Sequence, residues 1–469
     1  RILRRWGCSV QHSSSTLRWR CFRRQRMEGM SGSKQHSRAD RSGGAAWPLS
    51  RFGPAVLFTS AALAAILYVA MNSDIHPIPS HYVAKLLWKN ASVRPPLLIV
   101  LTVAGWAWVV HICRAAALNL EKVLGGTVQP VRASCHAACV LFTILILTHL
   151  VHIVASETPG ITWRPWLVCN LAMHAIFFCV AFFPLQIFHA DSRFSLVRTL
   201  LESLIAPFAP VTFWHVIVAD YLTSMAKAMS DIQLTACLAA SIHSTEASSY
   251  VRSTDIWNAQ HEICADTYAN AIMLALPFWW RLMQCLKVYS ITKEQKNLWN
   301  ALKYSTAFPL VYAGYLRRHS PSLYHDRCLI AAAIVQSCFT FVWDVLMDWG
   351  LPQRAPPASS SSDCCGYVLR EPLLVTRQKG VYFGLCVSNL LLRFAWTLSI
   401  FGGIPGRGAG MFFFETIEIM RRTVWAIFRI EWEVICKVYN APQETKHLTS
   451  TDSEGSEEMQ PLEIKDIED

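Results

Sequence analysis

The chain has 469 residues, of which 53% are hydrophobic, 18 are Trp and only 16% are charged, against about 25% charged in an ordinary soluble chain. With a mean hydropathy of +0.28, that composition excludes a cytosolic enzyme, a disordered chain and a nucleic-acid binder. The formal charge of +11 is uneven, basic at the start and acidic at the end, so it speaks to membrane topology before it speaks to ligands.

The sequence opens at Arg1, with Arg18, Arg20, Arg23, Arg24 and Arg26 ahead of Met27 and Met30; either it is a fragment or its natural start lies later. Residues 1–50 form a basic, polar segment, and residues 27–46 lack the apolar run that a signal peptide requires. The first apolar stretch therefore reads as an uncleaved membrane span. At the other end, residues 441–469 carry nine acidic side chains, from Glu444 to Asp469, against Lys446 and Lys465, the pattern of a solvated, disordered tail.

A helix needs about 20 mainly apolar residues to cross the hydrocarbon core. Such runs fall at 54–71, 96–118, 133–155, 166–188, 209–229, 267–288, 297–316, 327–349, 380–401 and 411–435. The expected fold is thus an all-α polytopic membrane protein of about ten transmembrane helices. The even count puts both termini on one side, and the N-terminal arginines make that side cytosolic. The loop 230–266, with Asp231, Glu246, Asp255 and Glu262 against Arg252, then faces the lumen or exterior. The loop 350–379, with Arg354, Arg370, Arg377 and Lys379 beside the Pro/Ser stretch 356–362, faces the cytosol. A glycosylation triplet, Asn90-Ala91-Ser92, lies in an expected outside loop.

Charges inside spans cost roughly 2.5 to 3.5 kcal/mol each on insertion scales and are functional-site hypotheses by default. They gather in the second half of the chain: Asp220, Arg281, Lys303, Asp344, Asp348, Arg393, Glu415, Glu418, Arg421 and Arg422. Glu418 stands three residues before Arg421 and four before Arg422, the separations at which helical side chains meet. It can tether the guanidiniums without cancelling both. The adjacent arginines point about 100° apart, an arc that suits an anion moving past. Guanidinium forks onto oxyanions, which favours phosphate or sulfate over chloride. The alternative is that these charges only lock helices together.

Other motifs carry less. Cys135, His136 and Cys139 lack a second ligand pair for zinc, and most of the 16 Cys read as small buried hydrophobes. His149 and His152 suit packing or interhelical hydrogen bonds, and Gly402 to Gly410 suits a tight turn. Asp344 and Asp348 share a face at i, i+4, like the metal-binding carboxylates of an intramembrane transferase, but a second acidic motif is missing.

Five stretches are similar to the EXS-domain family of phosphate exporters, which includes retrovirus-receptor-type, plant root-to-xylem and fungal Golgi members. They are Pro277 to Cys285, Asn300 to Thr306, Trp343 to Gly350, Leu392 to Thr397 and Glu418 to Trp425. The resemblance covers residues 205–440 as an EXS-like domain, with 51–204 matching as N-terminal spans by layout. It implies a substrate path lined by Asp220, Thr223, Lys303, Tyr304, Asp344, Arg393, Arg421 and Arg422, with Trp396 as gate and Glu418 and Asp348 as charge tethers. Thr223 and Ala226 stand where receptor-type members carry Asn and Ser, and Asn270 where they carry Arg. The resemblance is to an SPX-less form: the expectation is that no SPX domain, the long soluble helical bundle of regulated members, precedes the first span, so that control by inositol pyrophosphates is not carried over. The form resembled most is the Golgi type.

The expected function is therefore transport of inorganic phosphate, channel-like or by alternating access, without cofactor, metal or enzymatic step. The expected membrane is the Golgi, with the plasma membrane second. The open alternatives are a Golgi sorting protein without transport and a metal-dependent intramembrane transferase. The oligomeric state is also open, a homodimer included.

Overall fold

The computed structural model describes residues 92–125, 131–157, 165–182, 190–244, 263–354, 367–400 and 409–439. The expected span 54–71, the basic segment 1–50, the sequon at Asn90 and the tail 441–469 lie outside these residues, as does most of Gly402 to Gly410.

Helix α1 (Arg94–Ala115) starts on Pro95 and Pro96, which suit a first turn because its N–H groups have no intrahelical partner. A short α2 (Leu120–Leu124) follows, capped by Asn119, which accepts from Lys122 N, and closed by Gly125 at φ 80°. Next come α3 (Val131–Glu157), α4 (Pro165–Phe182) and α5 (Ala190–Leu204). Thr212 opens α6 (Phe213–Ser224) through a capping box with His215. Met225 separates α6 from α7 (Ala226–Ser244).

Helix α8 (Tyr268–Thr292) contains Pro277 and ends at Lys293, φ 56°. The run continues with α9 (Gln295–Ser305), α10 (Ala307–His319) and α11 (Leu323–Trp343). At Asp344–Asp348 the chain passes into a π turn, closed by Trp349 N donating to Asp344 O at 2.9 Å. Gly350 sits at φ 56°, and a Cβ there would lie 2.5 Å from the Trp432 ring, so only glycine fits. An antiparallel hairpin of β1 (Pro352–Arg354) and β2 (Tyr367–Leu369) leads to α12 (Lys379–Arg393), α13 (Thr397–Ile400) and α14 (Ala409–Val434).

Helix α14 is the hub, packed against α1, α2, α6 and α12. The largest core cluster joins Val109, Val110 and Cys113 to Trp349, Tyr382, Trp425, Phe428 and Ile430. Among the described residues, three helical stretches are long and apolar enough to cross a membrane: Arg94–Ala115, Val131–Val151 and Leu323–Asp348. At about 1.5 Å per residue, even the 21 residues of the second stretch reach about 31 Å, matching a core of about 30 Å.

Several sequence expectations change. The runs 209–229, 297–316 and 380–401 are not single helices: they break at Met225, at Thr306 and at residues 394–396. None of those breaks carries Gly or Pro, so hydropathy alone runs through them. The expected loop 230–266 is helical as far as Ser244. Its Asp231 is fully buried, and Cys237 is bonded to Cys264, so these cysteines are not simple apolar filler. The regular structure among the described residues is helical apart from the hairpin's two strands of three residues each. Arg370, expected as a cytosolic loop charge, is fully buried in an ion pair with Glu431 at 2.7 Å.

Candidate functional site

A cavity of about 480 Å³ opens between α6, α8, α9, α11, α12 and α14. Its polar wall carries Thr223, Lys303, Tyr304, Ser337, Arg393, Glu418 and Arg422; Phe278, Leu392, Phe414 and Ile417 make the apolar side. Three basic groups thus face one acidic group across a half-apolar space.

Each cation is held differently. Lys303 lies with Nζ 4.3 Å from the Tyr304 ring centre and 5.3 Å from that of Trp343, contacts that favour a cation; Asp348 is 3.9 Å away. Arg393 donates from Nη2 (2.8 Å) and Nε (3.3 Å) to one oxygen of Asp344. Arg422 is bonded to hydroxyls, Ser224 at 2.9 Å and Thr223 at 3.3 Å, and stacks over Trp425 at 4.6 Å. Its charge is the one least spent on a carboxylate.

Behind this wall stands a second rank, where the structure places Asp220, Asp344 and Arg421. Asp220 accepts from Arg281 Nε at 2.8 Å and from the Tyr304 hydroxyl at 2.5 Å. Arg281 also donates to Gln284 and to Tyr304 Oη. Arg421 forks onto Glu418 at 2.8 and 2.6 Å and lies 3.5 Å from Asp344. The two adjacent arginines therefore do not share the lining. Of the pair, Arg422 reaches the cavity and Arg421 backs it.

Trp396 lines the cavity and donates from Nε1 to Ser337 Oγ at 3.1 Å; Ser337 in turn donates to the Arg393 carbonyl. A seat on α11 thus links the expected gate to the Arg393 turn. Asp344 and Asp348 do not converge on a common metal position. Asp344 serves Arg393, Arg421 and Asn389, whereas Asp348 serves Lys303, Arg429 and the Trp425 indole. Their oxygens are already taken by separate cations, one turn apart. Among the described residues no group of three or more His, Cys, Asp or Glu is set to hold a metal.

Sequence reasoning counted Arg281 among the charges inside spans without giving it a place in the path, and singled out none of Ser224, Ser337 or Asn389. Asn389 lies four residues before Arg393, which puts both on one helix face, and that signal was available. Ser224 and Ser337 offered none.

Residues 91–435, nearly three quarters of the chain, match the EXS family. The chain belongs to the EXS family. Similar relatives include a "SPX and EXS domain-containing protein 1" of Dictyostelium discoideum, 31% identical over 58% of this chain and 28% of that one. A "Xenotropic and polytropic retrovirus receptor 1 homolog" of Danio rerio is 32% identical over 56% of this chain and 38% of its own length. The human "Solute carrier family 53 member 1" is 32% identical over 57% and 39%. This EXS chain spans less than two fifths of the length of these curated relatives. Their names are those of a receptor and a solute carrier rather than of enzymes, in line with a non-enzymatic reading.

Proposed function

We propose that this EXS protein moves inorganic phosphate across a membrane through the cavity between α6, α9, α11, α12 and α14. The observation that carries the reading is the cavity wall, on which Lys303, Arg393 and Arg422 face a single carboxylate, Glu418. An excess of two positive charges suits a divalent oxyanion such as hydrogen phosphate, and guanidinium forks match its oxygens. The relative named as a solute carrier and the motif resemblance to phosphate exporters support the same reading.

In this scheme Lys303, Tyr304, Thr223, Arg393 and Arg422 touch the anion. Asp220, Asp344 and Arg421 hold those groups from behind, Glu418 and Asp348 limit the charge, and Trp396 opens or closes the way past Ser337. The bilayer is the Golgi membrane, where phosphate released by luminal glycosylation is returned to the cytosol, and both termini are cytosolic. Radiolabelled phosphate flux into proteoliposomes of the purified chain tests the proposal. Flux that saturates with phosphate and is lost in Arg422→Ala is expected; vesicles no leakier than protein-free ones would sink it.

A further inference from the structure

At the end of the bundle where α1 begins, four charged residues outside the cavity, three of them buried and Lys227 half-buried, form a group on three helices. Arg94 starts α1, Lys227 and Asp231 lie on α7, and Glu415 lies on α14. Arg94, Asp231 and Glu415 are 4%, 0% and 6% exposed. Arg94 Nε donates to Asp231 Oδ2 at 2.7 Å, and Lys227 Nζ donates to Asp231 Oδ1, also at 2.7 Å. Asp231 thus holds two cations. Glu415 holds none by hydrogen bond: among the described residues its nearest basic nitrogen, Arg94 Nε, is 4.0 Å away, and neither of its carboxylate oxygens has a donor.

A buried carboxylate without a donor is costly, and here a small swing of one side chain would correct it. The packing shows which helices would keep company during that swing. α1 lies much more extensively on α14 than on α7, with Gly105 so near Thr423 that a Cβ would meet its hydroxyl at 2.5 Å. Arg94 and Glu415 therefore belong to one packed pair of helices, and Lys227 and Asp231 to another helix.

We propose that Arg94 exchanges partners during the transport cycle, leaving Asp231 on α7 for Glu415 on α14. After the exchange each side is neutral by itself, Arg94 with Glu415 on the α1 and α14 pair and Lys227 with Asp231 on α7. The seam between them then parts without stranding a buried charge, which otherwise makes such separations prohibitive. Shear of this kind carries Glu418, Arg421 and Arg422 on α14 relative to Thr223 and Ser224, which lie next to α7 on α6. The inference rests on the transport reading for its purpose and not for its geometry.

Ala228, 2% exposed between Leu98 of α1 and Ile419 of α14, is the reporter. The full chain bearing Ala228→Cys is reconstituted in liposomes and treated with a membrane-impermeant maleimide. Modification at residue 228 is read by peptide mass spectrometry, so that native cysteines do not count. Asp231→Asn is expected to raise the modification rate roughly tenfold by shifting Arg94 to Glu415, the size of a modest population shift. Glu415→Gln removes the alternative partner; it should lower the rate and slow phosphate flux in proportion, with phosphate affinity unchanged. Equal rates in all three proteins, or a faster rate in Glu415→Gln, would overturn the exchange. If Asp231→Asn does not elute as a folded species, Glu415→Gln decides alone, since it replaces a carboxylate that has no hydrogen-bonded partner. Absence of phosphate flux in the wild-type chain, with the modification pattern kept in the Ala228→Cys proteins, would defeat the transport reading and leave the exchange standing.

Discussion

Glu418 grips Arg421 with both carboxylate oxygens, at 2.8 and 2.6 Å, yet touches Arg422 only through a relay, the Ser224 hydroxyl that donates to it at 2.7 Å. Neighbours in sequence thus have different duties. Arg421→Ala would leave Glu418 and Asp344 short of a buried partner, a loss of about 3 to 5 kcal/mol, and its thermal midpoint should fall sharply. Arg422→Ala should keep its midpoint and lose about 1.5 to 3 kcal/mol of charge-assisted bonding to the anion, or roughly 10- to 100-fold in phosphate affinity. Calorimetric titration beside a melting curve separates the two; matching losses of stability would contradict the division.

Glu418→Gln removes the one negative charge from the cavity wall. Phosphate should bind more tightly and leave more slowly, so that flux at saturating phosphate drops while affinity rises. Transport needs binding weak enough for exit, and this carboxylate supplies the weakening. A variant that loses affinity as fully as Arg422→Ala would mean that Glu418 shapes the site directly.

Selectivity should follow oxyanion geometry. Proteoliposomes are expected to pass phosphate, and arsenate as its shape mimic, well above chloride, because guanidinium groups such as those of Arg393 and Arg422 on the cavity wall pair with oxyanions better than with a spherical ion. Competition by each anion against labelled phosphate gives the order directly; equal competition by chloride would refute the argument.

Gly350→Ala should destabilise by about 1 to 3 kcal/mol, since it adds a Cβ 2.5 Å from the Trp432 ring at a φ of 56°. The cavity lies apart from this contact, so phosphate affinity at low temperature should hold. A melting midpoint equal to wild type would show that Trp432 moves freely.

The Cys237 to Cys264 bond belongs on an oxidising side of a membrane, the side assigned to residues 230–266 by the charge argument. In sealed Golgi vesicles a tag near residue 245 should face the lumen, and tags at residues 40 and 455 should both face the cytosol. Opposite accessibility for residues 40 and 455 would mean that a span has been miscounted.

What could be read from the residues divides by the range of the interaction. Glu418 and Arg421 sit three apart on one helix, so their pairing was legible. Asp220 and Arg281 are 61 residues apart in sequence, and only the packing of α6 on α8 brings them together. Spacing from Glu418 put Arg421 and Arg422 on a nearly equal footing; what separates them is which one α12 covers through Asn389. Helix ends at Met225 and Thr306 escaped notice because apolar residues continue across them. Asp231 was read as a loop acid because the hydropathy ended its helix at residue 229, and because one of its two cations, Arg94, stands on α1, 137 residues away in sequence.

Arg370 and Glu431 tie the segment after the π turn to α14 independently of the chain that leads into it. Glu431 receives Arg370 Nη2, the backbone N–H groups of Leu374 and Val375, and the Tyr382 hydroxyl. Arg370 hooks back onto the carbonyls of Trp349 and Pro372, and β1 pairs with β2 ahead of it. A protease that nicks residues 355–366 would therefore produce two polypeptides that stay joined, with α12 and α14 still seated on the rest of the bundle. Cleavage visible on a denaturing gel would leave the native particle whole.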